Sequence, residues 1–237
     1  MNSASIPQSA AAREPAPNFD GLARVYRWME LFTFGPWLQR SRLAFLADLA
    51  ACRNALVLGD GDGRFTSELL RSNRSVRIEA VDLSSAMLGA LLHRAGVNAS
   101  RIRIHCADAR AWQPASPPYD LVATHFFLDC LTKEEVDGLI DGLRPNLTAG
   151  ALWVVSEFAV PDRWFGRLIA RPLIRLLYMA FDLLTGLAIR SLPDHAAALR
   201  VAGFTLNRRQ TSLGGLLVSE LWSAGPEPAI DIELHEL

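Results

Sequence analysis

The fold is decided by residues 55–66, which read Ala-Leu-Val-Leu-Gly-Asp-Gly-Asp-Gly-Arg-Phe-Thr. The four apolar residues predict a short buried strand, and the residues after Gly63 predict a helix. Between strand and helix the backbone has to turn sharply and approach a ligand closely, which glycine does without a steric cost from Cβ. The segment therefore predicts a nucleotide-type binding loop in an α/β fold.

The loop has the spacing G-x-G-x-G, whereas the usual dinucleotide loop has G-x-G-x-x-G and holds a pyrophosphate at the helix N-terminus. Asp60 and Asp62 stand between its glycines. Carboxylates repel a pyrophosphate and attract a sulfonium or ammonium group, so the charges favour S-adenosylmethionine over NAD. An NAD-dependent oxidoreductase is the rival enzyme class, and the loop spacing argues against it.

Two further acids close predicted strands. Asp82 ends the second strand, where a carboxylate accepts hydrogen bonds from both ribose hydroxyls of a bound nucleoside. Asp108 follows the third strand, where a carboxylate can meet an adenine amino group. Together with the glycine loop, these acids predict one adenosyl site at the edge of the sheet.

The rest of the chain extends this pattern. Five short apolar runs, at residues 55–58, 76–81, 101–106, 119–124 and 151–156, alternate with helical segments and predict a parallel sheet. Two helices are expected before the sheet, separated at Gly35-Pro36. Ser84 and Ser85 are candidates to cap a later helix, and Thr132 with Glu135 predicts a capping box at another. A long apolar helical stretch, residues 162–190, a helix near 193–201 and a strand pair at 204–208 and 216–222 follow the fifth strand.

Composition narrows the class of protein. Of 237 residues, 50% are hydrophobic and 21% are charged, and 24 basic against 25 acidic residues give a net charge of -1. This balance predicts one globular domain with no field that would gather nucleic acid. Three cysteines without paired spacing predict a cytoplasmic protein without a disulfide framework or metal site.

Neither the N-terminal segment nor the most apolar stretch of the sequence predicts a membrane-spanning helix. Residues 1–17 are expected to be a flexible lead-in, and residues 168–189 are interrupted by charges and a proline, so they are not expected to cross a bilayer. Association with a membrane surface and homo-oligomerisation stay open as alternatives.

The order of the glycine loop, Asp82 and Asp108 resembles that of the class I S-adenosylmethionine-dependent methyltransferases, over about residues 50–224. Shorter matches, at Phe19-Asp20, Ala23 and Tyr26 and at residues 199–204 and 214–215, resemble the branch of the ubiquinone and menaquinone C-methyltransferases (methyltransferase type 11). The resemblance implies a Rossmann-like, seven-stranded, mostly parallel sheet with helices on both faces and an antiparallel last strand. It also implies cofactor contacts at Gly59, Gly61, Asp82 and Asp108.

One departure from the family concerns Val57, which stands where the family often has an acid two residues before the first loop glycine. The amino-acid end of the cofactor is then expected to be held differently, with Asp60 or Asp62 as substitutes. A longer turn, residues 145–150, replaces the usual Pro-Gly-Gly before the fifth strand and is expected to have no functional consequence.

The acceptor is expected beyond the fourth strand, at residues 124–129. His125 is the candidate general base near neutral pH, with Asp129 orienting or stabilising its imidazolium. The structural alternatives are a core histidine and an aspartate bonded to backbone near the helix that starts at Thr132. Aromatic residues before and after the sheet predict an apolar cover for an aromatic or lipid-like acceptor: Tyr26, Trp28, Phe32, Phe34, Trp164, Phe165, Tyr178 and Phe181.

The sequence therefore predicts a methyltransferase that moves a methyl group from S-adenosylmethionine to an oxygen or carbon of a small apolar or aromatic acceptor, with quinone-like rings as candidates. The rival is a non-catalytic cofactor-binding regulatory or partner protein; a membrane-associated scaffold is a third hypothesis. One domain is expected over residues 18–224, with a cap at 18–51, an insertion at 162–190 and an acidic tail at 225–237. The predicted catalytic residues are His125 and Asp129, and the predicted cofactor contacts are Gly59, Asp60, Gly61, Gly63, Asp82, Leu83, Asp108, Ala109, Thr124 and Tyr26.

Overall fold

The computed structural model describes residues 35–114, 118–159 and 193–225. Its strands are β1 Asn54–Leu58, β2 Arg77–Asp82, β3 Ile102–Cys106, β4 Tyr119–His125, β5 Leu147–Phe158, β6 Phe204–Ser212 and β7 Leu217–Ala224. Its α-helices are α1 Gly35–Arg42, α2 Arg64–Ser72, α3 Ser85–Ala95, α4 Lys133–Leu143 and α5 His195–Val201. All seven predicted strands are present, with ends that differ from the predicted ones by a few residues.

The strands form one sheet in the order β3-β2-β1-β4-β5-β7-β6. Strands β1 to β5 are parallel to one another, whereas β7 is antiparallel to both β5 and β6. This topology confirms the predicted seven-stranded, mostly parallel α/β fold with an antiparallel last strand. It also means that β6 reaches the sheet only through β7.

Helices cover both faces of the sheet, as predicted. On one face α4 and α5 bury Ile140 and Leu199 against the fully buried indoles of Trp153 and Trp222. On the other face α2 and α3 contribute a second apolar cluster that includes Phe65. Removal of this apolar surface from water on both faces is the main term that stabilises such a layered fold.

The predicted helix caps are confirmed. The Ser84 hydroxyl accepts a hydrogen bond from the Met87 N–H at 3.2 Å at the start of α3. At the start of α4 the Thr132 and Glu135 side chains each accept from the other's backbone N–H, which is a capping box. The Ser84 cap places the start of α3 directly beyond β2, whereas α4 follows β4 after a 3-10 turn at Leu128–Cys130.

The helix predicted after Gly35-Pro36 is shorter than predicted. It begins at this pair, because proline lacks a backbone N–H that the first helical turn does not use, and it ends at Arg42 instead of continuing to Leu49. Residues 46–49 form a separate 3-10 turn. The Ser41 carbonyl docks α1 on the sheet, where it accepts hydrogen bonds from Ser156 Oγ at 2.9 Å and Ser219 Oγ at 3.0 Å.

Several predicted segments lie outside the described residues: the lead-in, the helix expected from residue 18, the insertion at 162–190 and the tail after residue 225. Within the described part of the chain, no helix is long and apolar enough to cross a membrane. The same part contains no cluster of His, Cys, Asp or Glu side chains that could hold a metal ion.

Candidate functional site

The glycine loop follows β1 and leads into α2, as the sequence predicts. Gly59, Gly61 and Gly63 have φ values of 66°, 56° and 78°, a region that residues with a Cβ rarely adopt. A Cβ on Gly63 would lie 2.6 Å from Leu91 Cγ, so this glycine lets α2 and α3 approach closely. Among the described residues, a Cβ on Gly61 would meet only Met87 Sδ, at 3.8 Å. Within that part of the chain, Gly61 is therefore the loop glycine with room beside its backbone.

The two loop aspartates are held by groups of the protein itself. Asp60 accepts hydrogen bonds from the backbone N–H groups of Phe65 at 3.2 Å and Thr66 at 2.8 Å, inside the first turn of α2. Burial raises the pKa of Asp60, and these N–H groups oppose the rise. Asp62 forms ion pairs with Arg94 at 2.6 Å and with Arg64 at 3.3 Å. Neither carboxylate is thus a free counter-charge, and Asp60 acts on the site by shaping the loop.

Asp82 joins the end of β2 to the glycine loop. Its Oδ2 accepts a hydrogen bond from the Gly61 N–H at 3.3 Å, and its Oδ1 accepts one from the Ser84 N–H at 2.9 Å. Burial raises its pKa, and both N–H groups lower it. Each carboxylate oxygen accepts more than one hydrogen bond, so Asp82 retains capacity for two hydroxyl donors.

Asp108 lies beyond β3 in a contact that the sequence analysis missed. The Arg110 guanidinium donates to both of its carboxylate oxygens, at 2.6 to 3.0 Å, and also donates to Glu135 of α4 at 2.6 Å. The Arg110 hydrogen bonds hold the pKa of Asp108 below its ordinary value. Asp108 is therefore a charged group that is connected to α4 through Arg110. It also lies near the end of β2, because the N–H of the preceding Ala107 donates to the Asp82 carbonyl at 3.1 Å.

The remaining predicted cofactor contacts differ in how exposed their side chains are. The Leu83 side chain is 46% exposed beside Asp82, and Ala109 is buried. Thr124 is fully buried, and its hydroxyl accepts a hydrogen bond from the Trp153 indole at 3.0 Å, so its side chain serves the core. Tyr26 lies outside the described residues.

His125 ends β4 on the face covered by α2, where its ring lies 4.4 Å from that of Phe65. Burial, with a smaller effect of the Arg42 charge, lowers its pKa to about 3. Among the described residues neither ring nitrogen has a hydrogen-bond partner. An imidazole with this pKa is a poor proton acceptor near neutral pH, so the structure argues against the predicted general base.

Asp129 is buried in the 3-10 turn after β4, but it does not form the predicted hydrogen bond with His125. Its Oδ1 accepts a hydrogen bond from the Cys130 thiol at 3.5 Å, and its charge raises the pKa of Glu157 at the end of β5. The sequence analysis missed Glu157. The available signal was an acid near the end of an otherwise apolar strand, in Val154-Val155-Ser156-Glu157-Phe158.

The described residues fit an adenosyl cofactor at the carboxyl ends of β1, β2 and β3. The fit rests on the open space beside Gly61, on the Asp82 carboxylate bonded to the same residue, and on the exposed Leu83 side chain next to it. A flat ring can pack on the apolar side chain while hydroxyls reach the carboxylate. The arrangement can therefore orient a nucleoside and keep its attached groups beside the loop.

Comparisons with known proteins agree with this geometry. Residues 55–150 match the family model described as a methyltransferase domain. No curated protein matches the chain.

Solved structures share the fold at low sequence identity. The N-methyltransferase NodS from Bradyrhizobium japonicum WM9 in complex with S-adenosyl-L-homocysteine is 19% identical, with a TM-score of 0.59 over 86% of this chain and 99% of that one. An O-methyltransferase family protein from Burkholderia thailandensis is 15% identical, with a TM-score of 0.67 over 89% of this chain. Mitomycin 7-O-methyltransferase MmcR is 14% identical, with a TM-score of 0.64 over 87% of this chain. The chain spans 62% and 57% of the length of the last two.

The domain match and the shared fold support an S-adenosylmethionine-dependent methyltransferase with that cofactor. They confirm the enzyme class, the cofactor and the fold predicted from the sequence. They do not single out the ubiquinone and menaquinone branch.

Proposed function

We propose that the enzyme transfers the methyl group of S-adenosylmethionine to an oxygen or carbon of a small apolar or aromatic acceptor, with a quinone-like ring as the finer candidate. The observation that carries the cofactor half of the proposal is the hydrogen bond between the Gly61 N–H and Asp82, beside open space at Gly61. The cofactor supplies an electrophilic methyl group on a sulfonium. The protein then has to hold the accepting atom in line with that group and exclude water.

We assign a role to each predicted cofactor contact. Asp82 accepts the ribose hydroxyl hydrogens, and Leu83 and Ala109 lie along the adenine, whose amino group donates to Asp108. Gly59, Gly61 and Gly63 give the loop its shape, and Asp60 holds that shape from the first turn of α2. Tyr26 and the backbone at Thr124 complete the cofactor surface in this proposal.

The acceptor side works mainly by positioning. Because burial lowers the pKa of His125 to about 3, this side chain does not carry proton removal at neutral pH. An acceptor whose hydroxyl or ring carbon is already nucleophilic needs only orientation. We therefore assign His125 to packing against Phe65, and Asp129 to the wall of the acceptor site.

The acceptor class and the surroundings of the enzyme rest on sequence resemblance. The short motifs shared with the quinone C-methyltransferases support an aromatic acceptor, and the aromatic residues of the proposed cap at 18–51 and insertion at 162–190 suit an apolar cover. We further propose one domain over residues 18–224 in a cytoplasmic enzyme that can touch a membrane surface or self-associate.

The cofactor half is tested by thermal unfolding with S-adenosylhomocysteine. At about a hundredfold excess over its dissociation constant, the ligand adds about 2.7 kcal/mol to the free energy of unfolding. For a chain of this size the midpoint then rises by about 5 to 10 °C. An unchanged midpoint in fresh ligand would contradict the proposed cofactor site.

The acceptor half is tested with isotope-labelled S-adenosylmethionine and matched ring compounds that carry a hydroxyl, a quinol or an amine. Label is expected on the hydroxyl and quinol compounds. Label on the amine alone would overturn the acceptor class. A clear thermal shift without transfer to any compound would favour the rival, a non-catalytic cofactor-binding protein.

A further inference from the structure

The ends of β4 and β5 hold two buried carboxyl groups side by side. Glu157 is 1% exposed and Asp129 is 5% exposed. Asp129 directly follows Leu128, whose backbone N–H donates to Glu157, and the charge of Asp129 raises the pKa of Glu157. Neither carboxylate can donate a hydrogen bond when both are ionised. Two negative charges in such a place repel each other and lose the solvation of water.

The hydrogen bonds of Glu157 show where a proton is needed. Its Oε1 accepts from the backbone N–H groups of Phe127 at 3.2 Å and Leu128 at 2.9 Å. Its Oε2 is buried and has no donor among the described residues. If Oε2 carries a hydrogen, that hydrogen can be donated to Asp129, and the same proton relieves the repulsion between the two acids.

We propose that Glu157 is a protonated acid that donates to Asp129, and that this shared proton holds the turn at Phe127 against the glycine loop of the cofactor site. Glu157 is thus a positioning residue. The inference rests on the cofactor site proposed above, because it deepens how that site keeps its shape.

The contact from the turn to the loop is direct. A Cβ built on Gly59 would lie 2.5 Å from Cδ2 and 3.0 Å from Cγ of the Phe127 ring. The ring therefore occupies the space that a side chain at position 59 would need. Since Glu157 binds the Phe127 N–H, a change at Glu157 displaces the ring that supports the first loop glycine.

Other titratable groups lie near the two acids. The Cys130 thiol donates to Asp129, and burial and the two neighbouring acids raise its pKa well above the ordinary value. On β7 the nearest acid of the same sheet face is Glu220, which is bound by His195 and Arg209. Glu220 is thus already paired with cationic groups, whereas Asp129 is the acid whose charge acts on Glu157.

The pKa of Glu157 is consistent with a retained proton. Burial, and then the charge of Asp129, raise it well above its ordinary value of 4.5. A group with a raised folded-state pKa contributes stability that is fully present below the ordinary value and is lost as the pH rises through the folded-state pKa. The support of the loop is thus expected to weaken on the alkaline side.

The test compares Glu157→Gln with Glu157→Leu. The glutamine amide oxygen keeps both backbone hydrogen bonds and its NH₂ donates to Asp129, so this variant reproduces the protonated acid at every pH. Leucine removes all of these bonds at similar size. The dissociation constant of S-adenosylhomocysteine is measured by calorimetry for the native protein and both variants, from about pH 6 to about pH 10.

At about pH 6 the glutamine variant is expected to bind within about twofold of the native protein, and the leucine variant at least about tenfold more weakly. As the pH rises, the native protein is expected to lose affinity relative to the glutamine variant. A glutamine variant as weak as the leucine variant, or one that loses affinity relative to the native protein as the pH rises, would overturn the shared proton.

Urea unfolding without cofactor gives an independent reading, because it does not depend on ligand binding. The native free energy of unfolding is expected to fall towards alkaline pH relative to that of Glu157→Gln. A steeper alkaline fall in the glutamine variant contradicts the proposal even where the leucine variant fails to fold. Failure of the native protein to bind S-adenosylhomocysteine would instead count against the cofactor site alone.

Discussion

Asp82 carries more of the proposed cofactor site than any other single described side chain, because its carboxylate meets both the loop at Gly61 and the start of α3 at Ser84. Replacement by alanine removes the acceptor for the ribose hydroxyls and frees the loop. We expect Asp82→Ala to weaken binding of S-adenosylhomocysteine by about 2 to 3 kcal/mol, roughly 30- to 150-fold. The thermal shift and calorimetry measure this loss.

The matched control for Asp82→Ala is Asp137→Ala, which removes a partly exposed carboxylate paired with Lys133 on α4. Exposed ion pairs contribute little, so its cofactor affinity is expected to stay within about twofold of native. If Asp82→Ala keeps the native thermal shift, the ribose assignment is wrong.

At the scale of single residues, the sequence was sufficient to predict which residues lie close together when each of them stands at the end of a strand. Asp82 and the loop glycines lie at strand ends, and their proximity follows from parallel strand order. Glu157 and Asp129 meet only because β4 and β5 pair in one register, with His125 opposite Ser156. No local pattern around Asp129 predicts that contact, so the partner was assigned to His125 instead.

At the scale of elements, Gly61 and Gly63 have similar φ values but different surroundings, and so different functions. Gly63 lets α2 contact α3, since a Cβ there would lie 3.0 Å from the Leu91 backbone, whereas in the described part of the chain Gly61 has only Met87 Sδ nearby. We expect Gly63→Ala to lower the free energy of unfolding by about 2 to 4 kcal/mol, through backbone strain and steric overlap. Gly61→Ala is expected to lower it by about 1 to 2 kcal/mol, through strain alone.

Gly61→Ala serves as the control for strain, and urea unfolding measures both variants. It is also expected to lose more affinity for S-adenosylhomocysteine than its loss of stability accounts for, because its methyl group occupies the open side of the loop. Equal losses of stability in the two variants would contradict the distinction between a packing glycine and a ligand-facing one.

Strands and caps were predicted better than helix ends. Apolar runs bounded by charged residues locate a buried strand to within a few residues, and the Thr132 and Glu135 pair is a local signal that needs no tertiary contact. The end of α1 at Arg42 was not predicted, because the apolar spacing continues to Leu49, where the structure has a separate 3-10 turn at residues 46–49.

At the scale of the whole molecule, charge burial sets how stability responds to pH. Glu220 of β7 is 1% exposed and is bonded to His195 at 3.1 Å and to the Trp222 indole at 3.0 Å. Although burial acts to raise the pKa of Glu220, these hydrogen bonds and nearby positive charges hold it below 4.5. Stability from such a group is present above its ordinary pKa and is lost as the pH falls through the folded-state value.

Glu220→Gln is therefore expected to lower the free energy of unfolding by about 1 to 3 kcal/mol at neutral pH and to reduce the further loss on acidification. Urea unfolding at about pH 7 and about pH 4 measures both effects. Glu68→Gln, an acid on α2 paired with Arg71 at the surface, is the control. A Glu220→Gln variant whose stability declines on acidification as steeply as the native protein's would contradict this account.

The overall class of the molecule was predictable, because the strands, the glycine loop and the acids at the strand ends follow one another in a recognisable order along the chain. The charges of the loop predicted the right class of cofactor, but the two loop aspartates are not free to act as counter-charges for it. Asp60 and Asp62 are occupied by α2 and by arginines, respectively, and the long-range pair of Asp62 with Arg94 is invisible to local spacing.

The place of β7 between β5 and β6 has a consequence for synthesis on the ribosome. β6 emerges before the only strand that it pairs with in this sheet, so it waits without a neighbour until residues 217–224 follow. Helix α1 cannot complete its docking before then either, because one of the two hydroxyls that donate to its Ser41 carbonyl belongs to Ser219. An early stretch of the nascent chain is thus secured by one of the last to be translated, and a polypeptide released before residue 217 forfeits both.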